Sequence, residues 1–187
     1  DMMMGKRIKA VRSGMLGKKI DFMLITKPAN VSYVTGFSGD DSWAVVTRAK
    51  AYLITDSRFT EQAEKECTSC RIIERIGSMA DEVAKLVNKS RAVRSIAIEK
   101  SASIEAFEAL KKRIRPELKT IDRVIENVRL CKDDSEIRMI RKAVKIAAKA
   151  LAGSMEYLKA GMTENEFAGR LDFQMRKFGV VNSFDTI

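Results

Sequence analysis

Residues 43–63 read WAVVTRAKAYLITDSRFTEQA, and this stretch decides the fold. Residues 43–47 and 51–55 are two apolar runs rich in β-branched and aromatic side chains, which is typical of strands. Only three residues separate them, so the pattern predicts an antiparallel hairpin. After Thr55 the spacing of apolar residues changes from that of a strand to that of a helix, and a helix is predicted over residues 59–66.

On both sides of the hairpin the chain alternates between strand and helix patterns. Before it come a basic amphipathic helix over residues 5–19, a strand over 22–25 and a glycine-containing loop over 30–39. After it the predicted strands are 71–73, 95–98 and 118–121, and the predicted helices are 79–89 and 104–114. This order predicts an α/β domain, residues 1–128, with helices on the faces of a layered mixed sheet.

Residues 129–134 are predicted to be a linker, followed by a helical segment over residues 135–187. Asp133 is placed to cap a helix with Glu136, and Gly161 is expected to end that helix. Thr163 and Glu166 form a second capping box, and Gly179 is expected to end the second helix before a strand over 180–187. The first helix has a stripe of apolar residues at intervals of three and four: Ile137, Ile140, Val144, Ala148, Leu151, Met155 and Leu158.

Charge and composition limit the classes of function. The 187 residues carry a formal charge of +10, but the basic residues are spread over helix-like segments and interleaved with acids. We therefore expect no specific nucleic-acid binding, because neither a stacking series of aromatic residues nor a known module accompanies the charge. No apolar run is long enough to span a bilayer, and the amino terminus lacks the apolar core of a signal peptide, so a cytoplasmic protein is expected.

Candidate metal-binding residues are few, because the chain contains no histidine. The adjacent acids Asp40 and Asp41 are interpreted as turn residues, and no metal site is predicted in this chain. Cys67 and Cys70 have the C-x-x-C spacing, but they follow a helix and precede a strand, the reverse of the redox arrangement. They are interpreted as buried or incidental thiols.

Two motifs carry a resemblance to a known family. NVSYVTGFSG at 30–39 and TDSRFTEQA at 55–63 resemble the amino-terminal domain of the Xaa-Pro peptidase and creatinase family. The resemblance continues through 129–132, the helix from Glu136, the junction at 161–164 and SFDTI at 183–187. One departure is Phe59, where the family commonly has tyrosine.

The resemblance implies that the helical segment is the start of a truncated pita-bread catalytic domain. The metal ligands and catalytic residues of the family would lie beyond Ile187, so no residue of this chain is predicted to be catalytic and no cofactor is expected in it. The parent protein is expected to hydrolyse the peptide bond before proline, as an aminopeptidase or dipeptidase with two divalent cations (Mn, Co or Zn).

The resemblance also implies partners and a site. This domain is expected to support a homodimer and to bring four residues to the rim of the site that binds a proline-containing peptide: Phe37, Asp40, Asp41 and Trp43. An acidic pair there could attract the α-ammonium group of a substrate. The turn residues Asp56 and Arg58 are expected to brace the chain before the helix.

Three alternatives stay open at this point. A creatinase-like amidinohydrolase would cleave a small guanidino compound without metal, and some relatives keep the fold but bind peptides without cleaving them. The third alternative is a basic nucleic-acid-binding module.

Overall fold

The computed structural model describes residues 2–89 and 92–184. Over these residues the chain forms eight helices and six strands. The helices are α1 (Met2–Gly17), α2 (Pro28–Thr35), α3 (Thr60–Glu66), α4 (Met79–Asn88), α5 (Ile104–Lys111), α6 (Val124–Leu130), α7 (Asp134–Met155) and α8 (Glu164–Lys177). The strands are β1 (Phe22–Ile25), β2 (Trp43–Thr47), β3 (Ala51–Thr55), β4 (Arg71–Glu74), β5 (Ser95–Glu99) and β6 (Glu117–Ile121).

The six strands form one mixed sheet in the order β4-β3-β2-β1-β5-β6, which confirms the predicted fold class. β2 pairs antiparallel with both β1 and β3, as the predicted hairpin requires. The pairs β1–β5, β3–β4 and β5–β6 are parallel. The central strands are apolar on both faces, because helices cover the sheet on each side.

Alternate residues of these strands enter two separate cores. In β1, Met23 and Ile25 pack with residues of α1, α2, α3 and α6, whereas Leu24 packs with residues of α4 and α5. In β2, Val46 likewise packs in the core that contains Met23, and Val45 packs in the core that contains Leu24. The sheet is therefore the middle layer of three.

Helix α2 was missed from the sequence, which predicted a loop over residues 30–39. Pro28 stands at its start, and Gly36, at φ 82°, ends it in the left-handed conformation that favours glycine. The helix has only eight residues, and its β-branched side chains mask the helical pattern. Asn30, Val31, Val34 and Thr35 are its buried residues.

A buried carboxylate fixes the amino terminus of α2 to the sheet. Glu99, at the end of β5, is only 4% exposed. Its Oε2 accepts hydrogen bonds from the backbone N–H groups of Thr26 (2.7 Å) and Lys27 (2.9 Å), in the turn between β1 and α2. Its Oε1 accepts one from Asn30 Nδ2 at 2.5 Å. These bonds offset the cost of burying a charged group.

Asn30 extends this junction to α6. Its Nδ2 also donates to Glu126 Oε1 at 2.7 Å, and its Oδ1 accepts from Arg129 Nη1 at 2.7 Å. Burial raises the pKa of Glu126, but the bond from Asn30 and the charges of Lys27 and Arg129 outweigh this effect and hold the pKa below its ordinary value. We call Glu99, Asn30, Glu126 and Arg129 the Glu99 junction.

The division between the two units falls within residues 129–134, the predicted linker, although helices extend into both ends of this range. The chain divides into two compact units, one ending at Leu130 and one beginning at Cys131. Helix α6, which was not predicted, includes the first two residues assigned to the linker, and α7 includes the last. Only residues 131–133 lie between these helices.

The second unit contains α7 and α8. Both predicted capping boxes are present, at Asp133 with Glu136 and at Thr163 with Glu166. Gly179 has φ 72°, as predicted for a helix end. The helices contact each other at Gly153, where an added Cβ would lie 3.3 Å from Gln174 Cδ.

Two predictions for the second unit were wrong. α7 ends at Met155, six residues before Gly161, because the backbone tightens into turns such as Tyr157 N–H to Ser154 O. No strand is formed over residues 180–184, and the rest of the predicted strand lies outside the described residues.

Within residues 2–89 and 92–184, no helix is both long and apolar enough to cross a membrane.

The start of α4 generates a prediction about pH. Asp81 accepts hydrogen bonds from Ser78, the N-cap, and from Arg113 Nε at 2.7 Å; the Ser78 hydroxyl and then Arg113 lower its pKa to about 2. Because the pKa of Asp81 is lower in the folded state than its ordinary value of 3.8, ionised Asp81 stabilises the fold at pH values above 3.8. This stabilisation is lost as the pH falls towards 2.

We therefore expect Asp81→Asn to lower the melting temperature at about pH 6, with a difference from wild type that shrinks between about pH 4 and pH 2. Thermal unfolding followed by circular dichroism measures this. Glu105→Gln, which removes a charge from the first turn of α5, is the control. A difference independent of pH would contradict the assignment.

Candidate functional site

The segment that joins α2 to β2, residues 36–42, carries most of the predicted rim residues, and we call it the rim loop. It begins at the left-handed Gly36. Phe37 follows with 1% of its surface exposed, and its ring meets that of Phe59 edge to face at a centroid distance of 6.1 Å. Phe37 therefore belongs to the core beneath the loop. The sequence analysis placed it at a substrate rim, which requires an accessible ring.

Gly39 packs closely on Phe37, and Ser38 is held by hydrogen bonds. An added Cβ at Gly39 would lie 2.4 Å from Phe37 Cζ, so only glycine fits without a shift of the ring. Ser38 donates to Glu66 from its backbone N–H (2.7 Å) and its hydroxyl (2.9 Å). The backbone bond, followed by the bond from Gln62, holds the pKa of Glu66 below its ordinary value. The loop is thus fastened to the end of α3.

Asp41 holds the far end of the rim loop. Its backbone has φ 43°, and its carbonyl accepts a hydrogen bond from Thr55 Oγ1 at 3.2 Å. Its carboxylate Oδ2 accepts from Arg58 Nη2 at 2.9 Å and from Arg75 Nη2 at 2.8 Å. The two arginines come from the ends of β3 and β4, which are parallel neighbours.

Asp56 completes this group. It accepts from the Arg58 backbone N–H (3.0 Å), from Arg58 Nη2 (2.6 Å) and from Arg75 Nη2 (3.2 Å). The Arg58 guanidinium, the largest cause, holds the pKa of Asp56 well below its ordinary value. This confirms that Asp56 and Arg58 brace the turn before α3. We call Asp41, Asp56, Arg58 and Arg75 the Arg–Asp cluster.

The Arg–Asp cluster changes the expected electrostatics of the rim. Two arginines balance two aspartates, so the Asp41 charge is compensated within the loop. The other acid of the predicted pair, Asp40, is exposed, and its charge is not part of the Arg–Asp cluster. Trp43 is half-buried and packs against the core on the α4 and α5 face. A substrate role for Asp40, Asp41 and Trp43 stays a prediction.

Sequence reasoning missed Arg75 and Glu66. Arg75 lies 34 residues from Asp41 in the chain, and it reaches the cluster because its N–H donates to Thr55 O as β4 leaves the sheet. Only the pairing of β3 with β4, which the sequence did not specify, could have indicated this.

A second position in the sheet resembles a ligand site but is filled by the protein. The parallel strands β1 and β5 are followed by helices that pack on opposite faces, since α2 enters one core and α5 the other. Ligands of open α/β sheets often bind at such a point, beyond the carboxyl ends of the strands. Here the buried side chains of Glu99 and Asn30 occupy it. This position therefore has a structural role.

The described cysteines and acids are the side chains from which a metal or redox site could be built. Cys67 is buried and Cys70 half-buried, and burial raises their pKa values to about 11 and about 12. Thiols with such values are poor nucleophiles near neutral pH. In the part of the chain that the structure describes, no three Cys, Asp or Glu side chains form a group that could hold a metal ion.

Comparison with known proteins identifies the family. Residues 7–131 match the model of the Creatinase/Prolidase N-terminal domain. The chain belongs to this family. The match covers the three-layer unit and thus the rim loop and the Glu99 junction of this creatinase/prolidase domain.

Individual relatives extend the similarity beyond this domain. The chain is 36% identical over 177 residues to an uncharacterized peptidase, YqhT, from Bacillus subtilis, covering 93% of this chain and 49% of the relative. It is 32% identical over 187 residues to an Xaa-Pro dipeptidase from Pyrococcus horikoshii, covering 98% and 52%. The structure of an Xaa-Pro dipeptidase from Bacillus anthracis superposes with a TM-score of 0.89 at 30% identity, covering 94% and 49%. The chain spans about half the length of these relatives.

The packing at Gly39 generates a prediction. Gly39→Ala is expected to destabilise the creatinase/prolidase domain by about 1 to 3 kcal/mol, because the new methyl group overlaps the buried Phe37 ring. Urea unfolding measures the change.

Gly169→Ala is the matched control, since an added Cβ meets nothing within 4 Å at this position of α8. It is expected to be neutral or to stabilise α8 by about 0.5 to 1 kcal/mol, as alanine favours helix. Equal stability of Gly39→Ala and wild type would show that the loop is not tightly packed on Phe37.

Proposed function

We propose that this chain is the amino-terminal half of an Xaa-Pro peptidase, which hydrolyses the peptide bond preceding proline. The observation that carries the proposal is the alignment with the Pyrococcus horikoshii Xaa-Pro dipeptidase, which runs through both units over 187 residues. A family match confined to residues 7–131 would support only a shared domain. The amino-terminal position in the parent is supported by the match to an N-terminal domain, and its extent by coverage of about half of each relative.

In the parent, this half would have a structural role, and the remaining half would carry the catalytic residues. The parent would bind two divalent cations (Mn, Co or Zn), and such ions make hydroxide available as a nucleophile near neutral pH. No residue described here is proposed as a metal ligand. The proposed role of the three-layer unit is to support a homodimer and to present Asp40, Asp41 and Trp43 at the rim of the peptide site.

The geometry of the rim loop supports this role. Its backbone is held at Ser38 by Glu66 and at Asp41 by Thr55 Oγ1, and Arg58 and Arg75 hold the Asp41 carboxylate, so Asp40 lies between two fixed points. An exposed carboxylate held in this way can attract the α-ammonium group of a peptide, and the attraction weakens as ionic strength rises. The free thiols Cys67 and Cys70 fit the proposed cytoplasmic location, where thiols stay reduced.

The apolar stripe of α7 supports the proposed continuation of the fold. Six side chains of the stripe, five on α7 and Leu158 just beyond its end, are between 39% and 62% exposed: Ile137, Ile140, Val144, Leu151, Met155 and Leu158. Burial of a large aliphatic side chain contributes roughly 1.5 to 3 kcal/mol, so an uncovered stripe of this size is unfavourable. In this proposal the remaining half of the parent covers it.

We expect the chain alone to show no hydrolysis of Xaa-Pro dipeptides with added Mn²⁺, Co²⁺ or Zn²⁺, and the longer parent to hydrolyse them when loaded with metal. In the parent, Asp40→Ala and Trp43→Ala are expected to lower kcat/KM by about 3- to 30-fold, with a smaller effect on melting temperature. Glu108→Ala, at an exposed acid on α5, is the control for general charge loss.

Two outcomes would contradict the proposal. Turnover that copurifies with the chain alone would place catalytic groups within it. A parent that cleaves a guanidino compound without metal, and leaves Xaa-Pro peptides intact, would favour the creatinase-like alternative.

The exposed stripe generates a separate prediction about the chain in isolation. Residues 135–187 are expected either to pair with the same segment of a second chain or to exchange their amide hydrogens rapidly, while residues 5–128 stay protected. Light scattering after size exclusion, combined with hydrogen exchange, measures both. A monodisperse monomer whose α7 amides are as protected as those of β1 and β2 would contradict the expectation.

A further inference from the structure

A basic groove lies on the three-layer unit, away from the rim loop. It is bounded by α1, by the turn between β2 and β3, and by the segment that joins α3 to β4, and its volume is about 390 Å³. Four cationic side chains line it: Lys9, Arg12, Lys50 and Arg71. None of the described residues that line this groove is acidic. We call it the basic groove.

Within the described residues, no ion pair compensates the charges of the basic groove. Among residues 2–89 and 92–184, no carboxylate lies within ion-pair distance of these four side chains, whereas Arg58, Arg75 and Arg113 each pair with an aspartate. Cations that converge without acids raise the local concentration of anions. The groove therefore differs from the sites of Arg58, Arg75 and Arg113, where aspartates balance the guanidinium charges.

Arg12 is the fixed cation of the basic groove. Its side chain is half-buried, and its Nε donates to the carbonyl oxygen of Thr47 at 2.8 Å. This bond fixes the plane of the guanidinium group, whose terminal nitrogens can bind two oxygens of a phosphate at once. Lys9, Lys50 and Arg71 are exposed and line the same groove from three different elements. The hydroxyl side chains of Thr68 and Ser69 also line the groove.

We propose that the basic groove binds the phosphate groups of a small ligand, such as a diphosphate. Four cations match a multiply charged anion better than a single carboxylate, and an oriented guanidinium matches the geometry of phosphate oxygens. The residues that line the groove include no aromatic side chain on which a nucleobase could stack. This favours a small phosphate over single-stranded nucleic acid. The proposal is independent of the peptidase function.

Calorimetric titration of the chain with pyrophosphate at low ionic strength tests the proposal. One saturable site is expected, and the triple variant Lys9→Gln, Lys50→Gln, Arg71→Gln is expected to weaken it by at least about tenfold, because three charged contacts are lost. The control variant is Lys100→Gln, Lys111→Gln, Lys112→Gln, which removes the same charge near β5 and α5. In the sheet, β1 and β2 separate β5 from the edge formed by β3 and β4. The control should bind within about twofold of wild type.

Arg12→Lys separates geometry from charge. It keeps the charge but removes the planar fork, and an affinity loss of about threefold or more is expected while circular dichroism shows an unchanged fold. The absence of saturable binding would overturn the proposal, and so would equal losses in the two triple variants. A duplex or single-stranded oligonucleotide that binds to the groove more tightly than pyrophosphate, and is not displaced by it, would also overturn it in favour of nucleic acid.

Discussion

The rest of the three-layer unit depends on the hydrogen bonds that the buried carboxylate of Glu99 accepts. Glu99 lies at the end of β5 and receives three donors from the chain that leaves β1, so two neighbouring parallel strands and α2 meet at one side chain. Each donor is needed, because a buried charge without hydrogen bonds is strongly unfavourable. Asn30 then passes the constraint to Glu126 and Arg129 on α6.

This constraint reaches the rim loop through α2. The helix is only eight residues long, so its orientation is set by its two ends. The Glu99 junction fixes the first end, and Gly36 turns the chain into the loop at the second. Phe37, Glu66 and the Arg–Asp cluster then hold residues 37–41 on α3 and on the ends of β3 and β4. The exposed Asp40 is thus presented by a rigid framework.

The sequence predicted what local patterns encode. All six strands followed from apolar runs, and the capping boxes at Asp133 and Thr163 followed from two residues three apart. Helices α2 and α6 were missed because each is short and carries several β-branched side chains, which are more typical of strands. The Glu99–Asn30 bond joins residues 69 apart, and the Asp41–Arg75 pair joins residues 34 apart. Such pairs depend on strand order, which no local pattern reports. Phe37 was expected at the rim because of the family resemblance, and its burial depends on a long-range contact with Phe59 that no local pattern reports.

Hydrogen exchange of Glu99→Gln tests the central role of the Glu99 junction most directly. Glutamine would place an amide NH₂ group against a donor of the junction, so the amides of α2 and of residues 36–42 should open more easily by at least about 1 kcal/mol. The amides of α4, which packs on the other core, should change less, and Glu105→Gln should leave both regions unchanged. Unchanged protection of α2 and residues 36–42 in Glu99→Gln, or an equal loss across α2 and α4, would contradict this account.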